Sequence, residues 1–259
     1  RVVLVLDCSG STLDNGAMEA TRALLKQLPD VAKKHREGSK AGGLRSVPVI
    51  EVLAYGALNP DCGFHVPSKW LTTKGPINLL DAKASTLLEH VAFGLHNMGG
   101  TDTTGALDKA LDRLQATLDS HESAHVIVCT DGGTNVGIKY TEDLQEHIST
   151  RLRADPRICI HAIGMGIKVR PDYLETLVKP GVGNGIFTYA PTAGQLNTCI
   201  NELLKPVMDS RGVLQVRVYD DTDGGVRNAD GVRCRWLNLG LFCEQNATTR
   251  AFPIVYRQR

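Results

Sequence analysis

The hydrophobic positions of this chain follow two periods, and their alternation predicts the architecture. Val2, Val3, Leu4, Val5 and Leu6 form a continuous apolar run rich in β-branched residues, the pattern of a strand buried on both faces of a parallel sheet. Similar runs at 49–55, 125–130, 158–163 and 186–189 predict further strands, with 64–71 a weaker edge candidate. Between them, apolar residues recur at helical spacing. Ala17, Thr21, Leu24, Leu25, Leu28, Val31 and Ala32 predict a helix over 16–36. Leu80 to Leu95, Leu107 to Leu118, Leu144 to Leu152, Tyr173 to Val178 and Leu196 to Val207 predict the others.

Strands alternating with helices imply a doubly wound α/β domain over 1–207, its sheet mainly parallel and flanked by helices. After a short link at 208–211 the texture changes. Alternation at 214–219, around 232–239 and at 249–256, with turn residues between, predicts a short appended antiparallel β module over 212–259.

With 42% hydrophobic residues in 259, the chain can bury a proper core, and a net charge of +1 offers no global attraction to nucleic acid or an anionic membrane. The one basic cluster, Lys33, Lys34, His35, Arg36, Lys40 and Arg45, reads as a solvated helix end and loop. No apolar run reaches the roughly 18 residues of a membrane span. The seven cysteines include no CxxC pair, and Cys8, Cys129 and Cys159 fall in or beside core strands, which leans towards a reducing, cytoplasmic setting against the lone sequon at Asn246.

Candidate chemistry lies at the strand ends. The first strand runs into Asp7-Cys8-Ser9-Gly10-Ser11, a loop of hard oxygen donors where open α/β sheets bind ligands. Such a loop also caps helices, so the other loops matter. Gly99-Gly100 precede Thr101-Asp102-Thr103 at a helix start, and the strand at 125–130 ends in Asp131-Gly132-Gly133. Together, Asp-x-Ser-x-Ser, a threonine after paired glycines and an aspartate after an apolar strand resemble the von Willebrand factor A domain and its metal-ion-dependent adhesion site (MIDAS). The resemblance spans about 1–207. It implies a metal shell of Asp7, Ser9, Ser11, Thr101 and Asp131, with Thr103 competing for the threonine role. Thr12, where many members carry methionine or isoleucine, and the second glycine, Gly133, depart from the pattern without removing a ligand.

The resemblance further implies Mg²⁺, with Mn²⁺ or Ca²⁺ possible, and an open coordination position for an Asp or Glu of a partner protein. A role as an intracellular scaffold subunit with structural metal is the alternative. An enzyme is not expected. Ser9 stands where a phosphatase of the HAD type needs a second acid, and no GxSxG, P-loop or HExxH motif occurs. A Mg²⁺-assisted hydrolase would need a general base that the sequence does not offer. His65, His96, His125 and His161 share no spacing with acids and read as structural. Gly181 to Gly185 precedes a strand instead of opening a helix, so it is not a dinucleotide fingerprint.

Overall fold

The computed structural model describes residues 1–38, 48–58, 63, 66–119, 122–167, 169–220 and 233–243. Its centre is β1 (Val2–Asp7), flanked in parallel by β2 (Val49–Tyr55) and β5 (Ala124–Thr130). Beyond β5 come β6 (Ile158–Met165) and β7 (Phe187–Ala190), also parallel, while the two-residue strands β3 (Lys69–Trp70) and β4 (Ile77–Asn78) pair antiparallel with β2. The sheet order is β3-β2-β1-β5-β6-β7, with β4 also on β2. Chain order thus reverses between β1 and β5, and the crevice beyond their carboxyl ends is where such sheets take ligands.

All six residues of β1 are buried because helices cover both faces. Val2, Leu4 and Leu6 join one core with Leu24, Leu25 and Leu28 of α2 (Ala17–Gly38), Leu88 and Val91 of α3 (Ala84–Phe93), and Leu196, Ile200 and Leu203 of α7 (Ala193–Asp209). Val3 and Val5 join the other with Leu107, Leu111 and Leu114 of α4 (Thr103–Thr117), Leu144 and Ile148 of α5 (Thr141–Arg153), and Leu174 and Leu177 of α6 (Pro171–Val178). This is the mainly parallel, helix-flanked α/β sheet that the periodicity predicts.

Several boundaries differ from expectation for local reasons. A short helix α1 (Gly10–Asp14) follows the Asp-x-Ser loop, where only a turn was expected. The third helix begins at Ala84, not Leu80, because the side chains of Asn78 and Asp81 bond the Leu80 and Lys83 amides at 2.9 and 2.8 Å and hold a turn. Within 64–71 only Lys69 and Trp70 form a strand, and residues 64 and 65 lie outside the described residues. The link expected at 208–211 is absent. Helix α7 continues to Asp209, and β8 (Ser210–Asp220) starts at the next residue, pairing antiparallel with β9 (Arg233–Cys243) in a separate two-stranded sheet. The expected strand at 249–256 lies outside the described residues.

Other expectations resolve into packing. Lys33, Lys34 and Arg36 are exposed on α2, while Lys40 and Arg45 lie outside the described residues. Cβ atoms at Gly183 and Gly185 would overlap the carbonyls of Leu177 and Ile160, so these glycines permit close strand–helix contact. Cys8, Cys129, Cys159 and Cys199 are buried free thiols. Among the described residues no helix is long and apolar enough to cross a membrane.

Candidate functional site

Three loops meet at the carboxyl rim of β1 and β5, and backbone hydrogen bonds lace them together. The Cys8 amide donates to the Tyr55 carbonyl (2.9 Å), the Met98 amide to the Cys8 carbonyl (2.7 Å), and the Gly10 amide to the Gly99 carbonyl (2.9 Å). Gly100 exchanges a pair of backbone bonds with Ala57 at 2.7 and 2.8 Å. The paired glycines make this approach possible. Gly99 has φ of 99°, a left-handed conformation, and a Cβ on Gly100 would lie 3.2 Å from the Leu58 carbonyl oxygen and 3.3 Å from Asn135 Oδ1.

Two carboxylates are buried within this frame. Asp7, 4% exposed, accepts the Ser9 amide on Oδ1 (2.9 Å) and the Thr130 hydroxyl on Oδ2 (2.6 Å). Burial pushes its pKa up to about 6; the Thr130 hydrogen bond opposes the rise, and the negative charge of Asp131 adds to it. Asp131, 2% exposed, accepts the Ser11 hydroxyl on Oδ1 (3.0 Å) and the Asn15 side-chain amide on Oδ2 (2.6 Å). Ser9 occupies the N-cap of α1 but makes no side-chain cap bond, and its Oγ sits 3.1 Å from Ser11 Oγ. Asp7, Ser9, Ser11 and Asp131 are thus brought together. None of the hydrogen bonds described here involves an imidazole or an amine.

Thr101 is held by its backbone. Asn135 Oδ1 accepts its amide (3.0 Å), and its carbonyl accepts the amides of Asn135 (2.8 Å) and Val136 (3.1 Å) and the Thr134 hydroxyl (3.1 Å). The Thr101 hydroxyl takes part in none of these bonds. The Thr103 hydroxyl instead turns into the core, 3.3 Å from the buried Tyr55 hydroxyl. That geometry separates the two candidate threonines. Thr12, fully buried, donates its hydroxyl to the Ser9 carbonyl (2.7 Å), so the departure from the family pattern braces the loop.

The donor set fits a hard divalent cation. Two carboxylates supply a charge of about −2 and the serine and threonine hydroxyls supply neutral oxygens, the chemistry Mg²⁺, Mn²⁺ and Ca²⁺ accept. Among the described residues no group of three or more His, Cys, Asp or Glu side chains could hold a metal, which leaves hydroxyls and water to complete any shell here.

Sequence reasoning missed Thr130, Asn15 and Asn135, the side chains that hold Asp7, Asp131 and Thr101. Asn15-Gly16 is a turn signal, and Gly16 has φ of 75°, but nothing local points to a partner 116 residues away. Of the four histidines read as structural, His125 and His161 are buried in the core. His125 Nδ1 lies 3.3 Å from His161 Nε2 in the core, and His96 Nδ1 lies 2.9 Å from the Gly94 carbonyl oxygen, while His65 lies outside the described residues.

No family model matches the chain. The mouse inter-alpha-trypsin inhibitor heavy chain H3 is 23% identical over 218 residues, covering 80% of this chain but only 21% of that protein. Among solved structures, a von Willebrand factor type A protein from Catenulispora acidiphila superposes with a TM-score of 0.64 at 16% identity, over 93% of this chain and 55% of that one. Proximal thread matrix protein 1 from the mussel byssus, described with a zinc-occupied MIDAS motif, gives 0.51 at 16% identity, over 85% and 49% of the two chains. These likenesses show the von Willebrand factor A fold.

Proposed function

We propose that the three-loop centre binds one divalent cation through Asp7, Ser9, Ser11, Thr101 and Asp131, with Mg²⁺ preferred and Mn²⁺ or Ca²⁺ able to substitute. The cation supplies an under-neutralised coordination position for a carboxylate of a partner protein, an Asp or Glu. The observation that carries this reading is the buried Asp7–Asp131 pair. Two like charges are kept close, each held by hydroxyl or amide donors, with no ion pair to Asp7 among the described residues. Burying two carboxylates near one another is costly, and a dication between them would offset that cost. The zinc-occupied MIDAS of the mussel protein supports the same chemistry.

Within this reading Thr130 and the Ser9 amide orient Asp7, Asn15 orients Asp131, and the bonds to Thr134, Asn135 and Val136 fix the Thr101 backbone. On this reading the centre serves to bind, its carboxylates being held by hydroxyl and amide donors that fix them for a cation. Titrating Mg²⁺ or Mn²⁺ into EDTA-treated protein should raise its melting temperature and give a saturable calorimetric signal, and Asp131→Ala should abolish both. A parent protein indifferent to millimolar amounts of either ion would sink the proposal.

A further inference from the structure

Beside the carboxylate centre lies a cavity of about 140 Å³ between the ends of β6 and β7 and the start of α7. Met165, Ala190, Pro191 and Leu196 form its walls, and no charged side chain lines it. Its mouth is marked by Ile167, 89% exposed, and by Thr192, also exposed. Asn15 and Thr192 add polar edges to an otherwise apolar lining, and a hollow of this size has room for a benzene-sized group, so one leucine or phenylalanine side chain matches it in volume.

Asn15 joins this cavity to the candidate cation site. It lines the cavity, while its side-chain amide donates to Asp131 Oδ2 at 2.6 Å and its Oδ1 accepts the Ala17 amide at 2.8 Å. One residue is therefore shared by the cavity and the carboxylate centre. A ligand anchored at the cation has an uncharged hollow beside it, and a bare Ile167 next to that hollow is apolar surface that a partner would cover.

We propose that this cavity is an anchor pocket for a large apolar side chain of the same partner whose carboxylate meets the cation, so that the recognised element pairs an acidic residue with a nearby Leu, Ile, Met or Phe. The inference rests on the metal-dependent reading above and narrows its partner. The pocket's uncharged lining refuses a second charge, because a charged side chain placed there would be desolvated without a counter-ion. Cation and pocket together define a two-point contact, acid plus anchor.

The test is a displayed peptide library with one fixed Asp and randomised flanks, selected on the full chain in Mg²⁺. The expected result is EDTA-sensitive enrichment of large apolar residues at a preferred offset from the Asp. Thr192→Trp places an indole at the exposed mouth. It should weaken selected peptides about 10- to 100-fold, the worth of burying one apolar side chain. The same variant should leave the Mg²⁺-induced shift in melting temperature and the weak binding of an Asp peptide with serine flanks unchanged. Acid-dependent, EDTA-sensitive enrichment without apolar preference overturns the anchor pocket and leaves the cation reading intact. No EDTA-sensitive enrichment overturns both. Equal weakening of the anchored and serine-flanked peptides by Thr192→Trp also overturns the pocket, since the substitution would then act through the cation centre.

Discussion

Two buried carboxylates on adjacent strands, Asp7 and Glu51, are treated in opposite ways. Glu51, on β2 and 1% exposed, is answered from within the chain. Arg113 Nη2 lies 2.6 Å away and Arg1 Nη1 3.9 Å away, while the Arg113 guanidinium also stacks 4.2 Å over the Trp70 ring. The carboxylate oxygens nevertheless lack well-aligned hydrogen bonds, so the pairing is largely charge to charge. Asp7, on β1, faces a second carboxylate and is held by a hydroxyl and a backbone amide. A carboxylate completed inside the chain is a structural element. One left with hydroxyls, an amide and a like charge has no counter-ion among the described residues, which is why the proposed cation site is the rim and not the Glu51 cluster.

The largest expected effect sets two buried core histidines against the rim carboxylate Asp7 by acid. Burial pushes His125 down to about 3, aided by its neighbour His161, and burial pushes His161 down to about 4. Both values lie below the unfolded value of about 6.5, so the stability they contribute is complete above that pH and is lost as pH falls from there towards 4. Within that buried pair the Ile186 amide donates to His161 Nδ1 (3.2 Å), an arrangement that assigns the ring proton to Nε2, facing His125 Nδ1. Between pH 7 and pH 5 denaturant melts in EDTA should lose about 2 kcal/mol for each histidine. Asp7 works the other way. Its raised pKa makes the charged form costly above about pH 6, and that cost fades as pH falls through this value. Asp7→Asn should therefore steepen the acid loss by about 1 kcal/mol. A profile flat from pH 7 to 5, or one unchanged by the substitution, breaks the contrast.

Next is Arg113→Ala, which removes the nearer counter-ion of Glu51 and its stacking on Trp70. It should cost about 3 kcal/mol, or a fall of roughly 6–12 °C in melting temperature, because a buried charge is left less compensated. Asp131→Asn in EDTA should change stability by less than about 1 kcal/mol, since relief of like charge offsets altered hydrogen bonds. Equal losses in the two variants would mean that the rim carboxylates are as structural as Glu51.

Cation binding itself should then add about 2.7 kcal/mol at a hundredfold excess over the dissociation constant, measured as a shift of the denaturation midpoint. Arg113→Ala should retain that increment in full. Asn15→Ala, which removes the hydrogen bond from the Asn15 side-chain amide to Asp131 Oδ2, should weaken cation affinity about 10-fold by calorimetry, as removing a group that orients a ligand does. Undiminished affinity would show that the Asn15 hydrogen bond is not needed to hold Asp131.

How much of this was legible in the residues follows from the range of the forces involved. Continuous apolar runs such as Val2 to Leu6 and helical repeats such as Leu24-Leu25-Leu28 report burial on both sheet faces and one helix face, a local property that determines the α/β alternation. Asp7, Ser9 and Ser11 sit two residues apart in one loop, and the glycines before Thr101 mark a tight turn, so these candidates were visible too. Local spacing does not reveal which distant groups meet. The parallel register that sets Leu6 beside Cys129 carries Thr130 to Asp7, the reversal of chain order between β1 and β5 brings Asn15 to Asp131, and the facing cores turn Thr103 towards Tyr55 while leaving Thr101 at the rim. The same holds for Glu51, whose place in a strand is readable but whose counter-ions come from the chain start and from α4. Periodicity records each segment's exposure to solvent. Partnership across more than a hundred residues exists only once the sheet is assembled, because hydrogen bonds and ion pairs act over a few ångströms in space, whatever the separation along the chain.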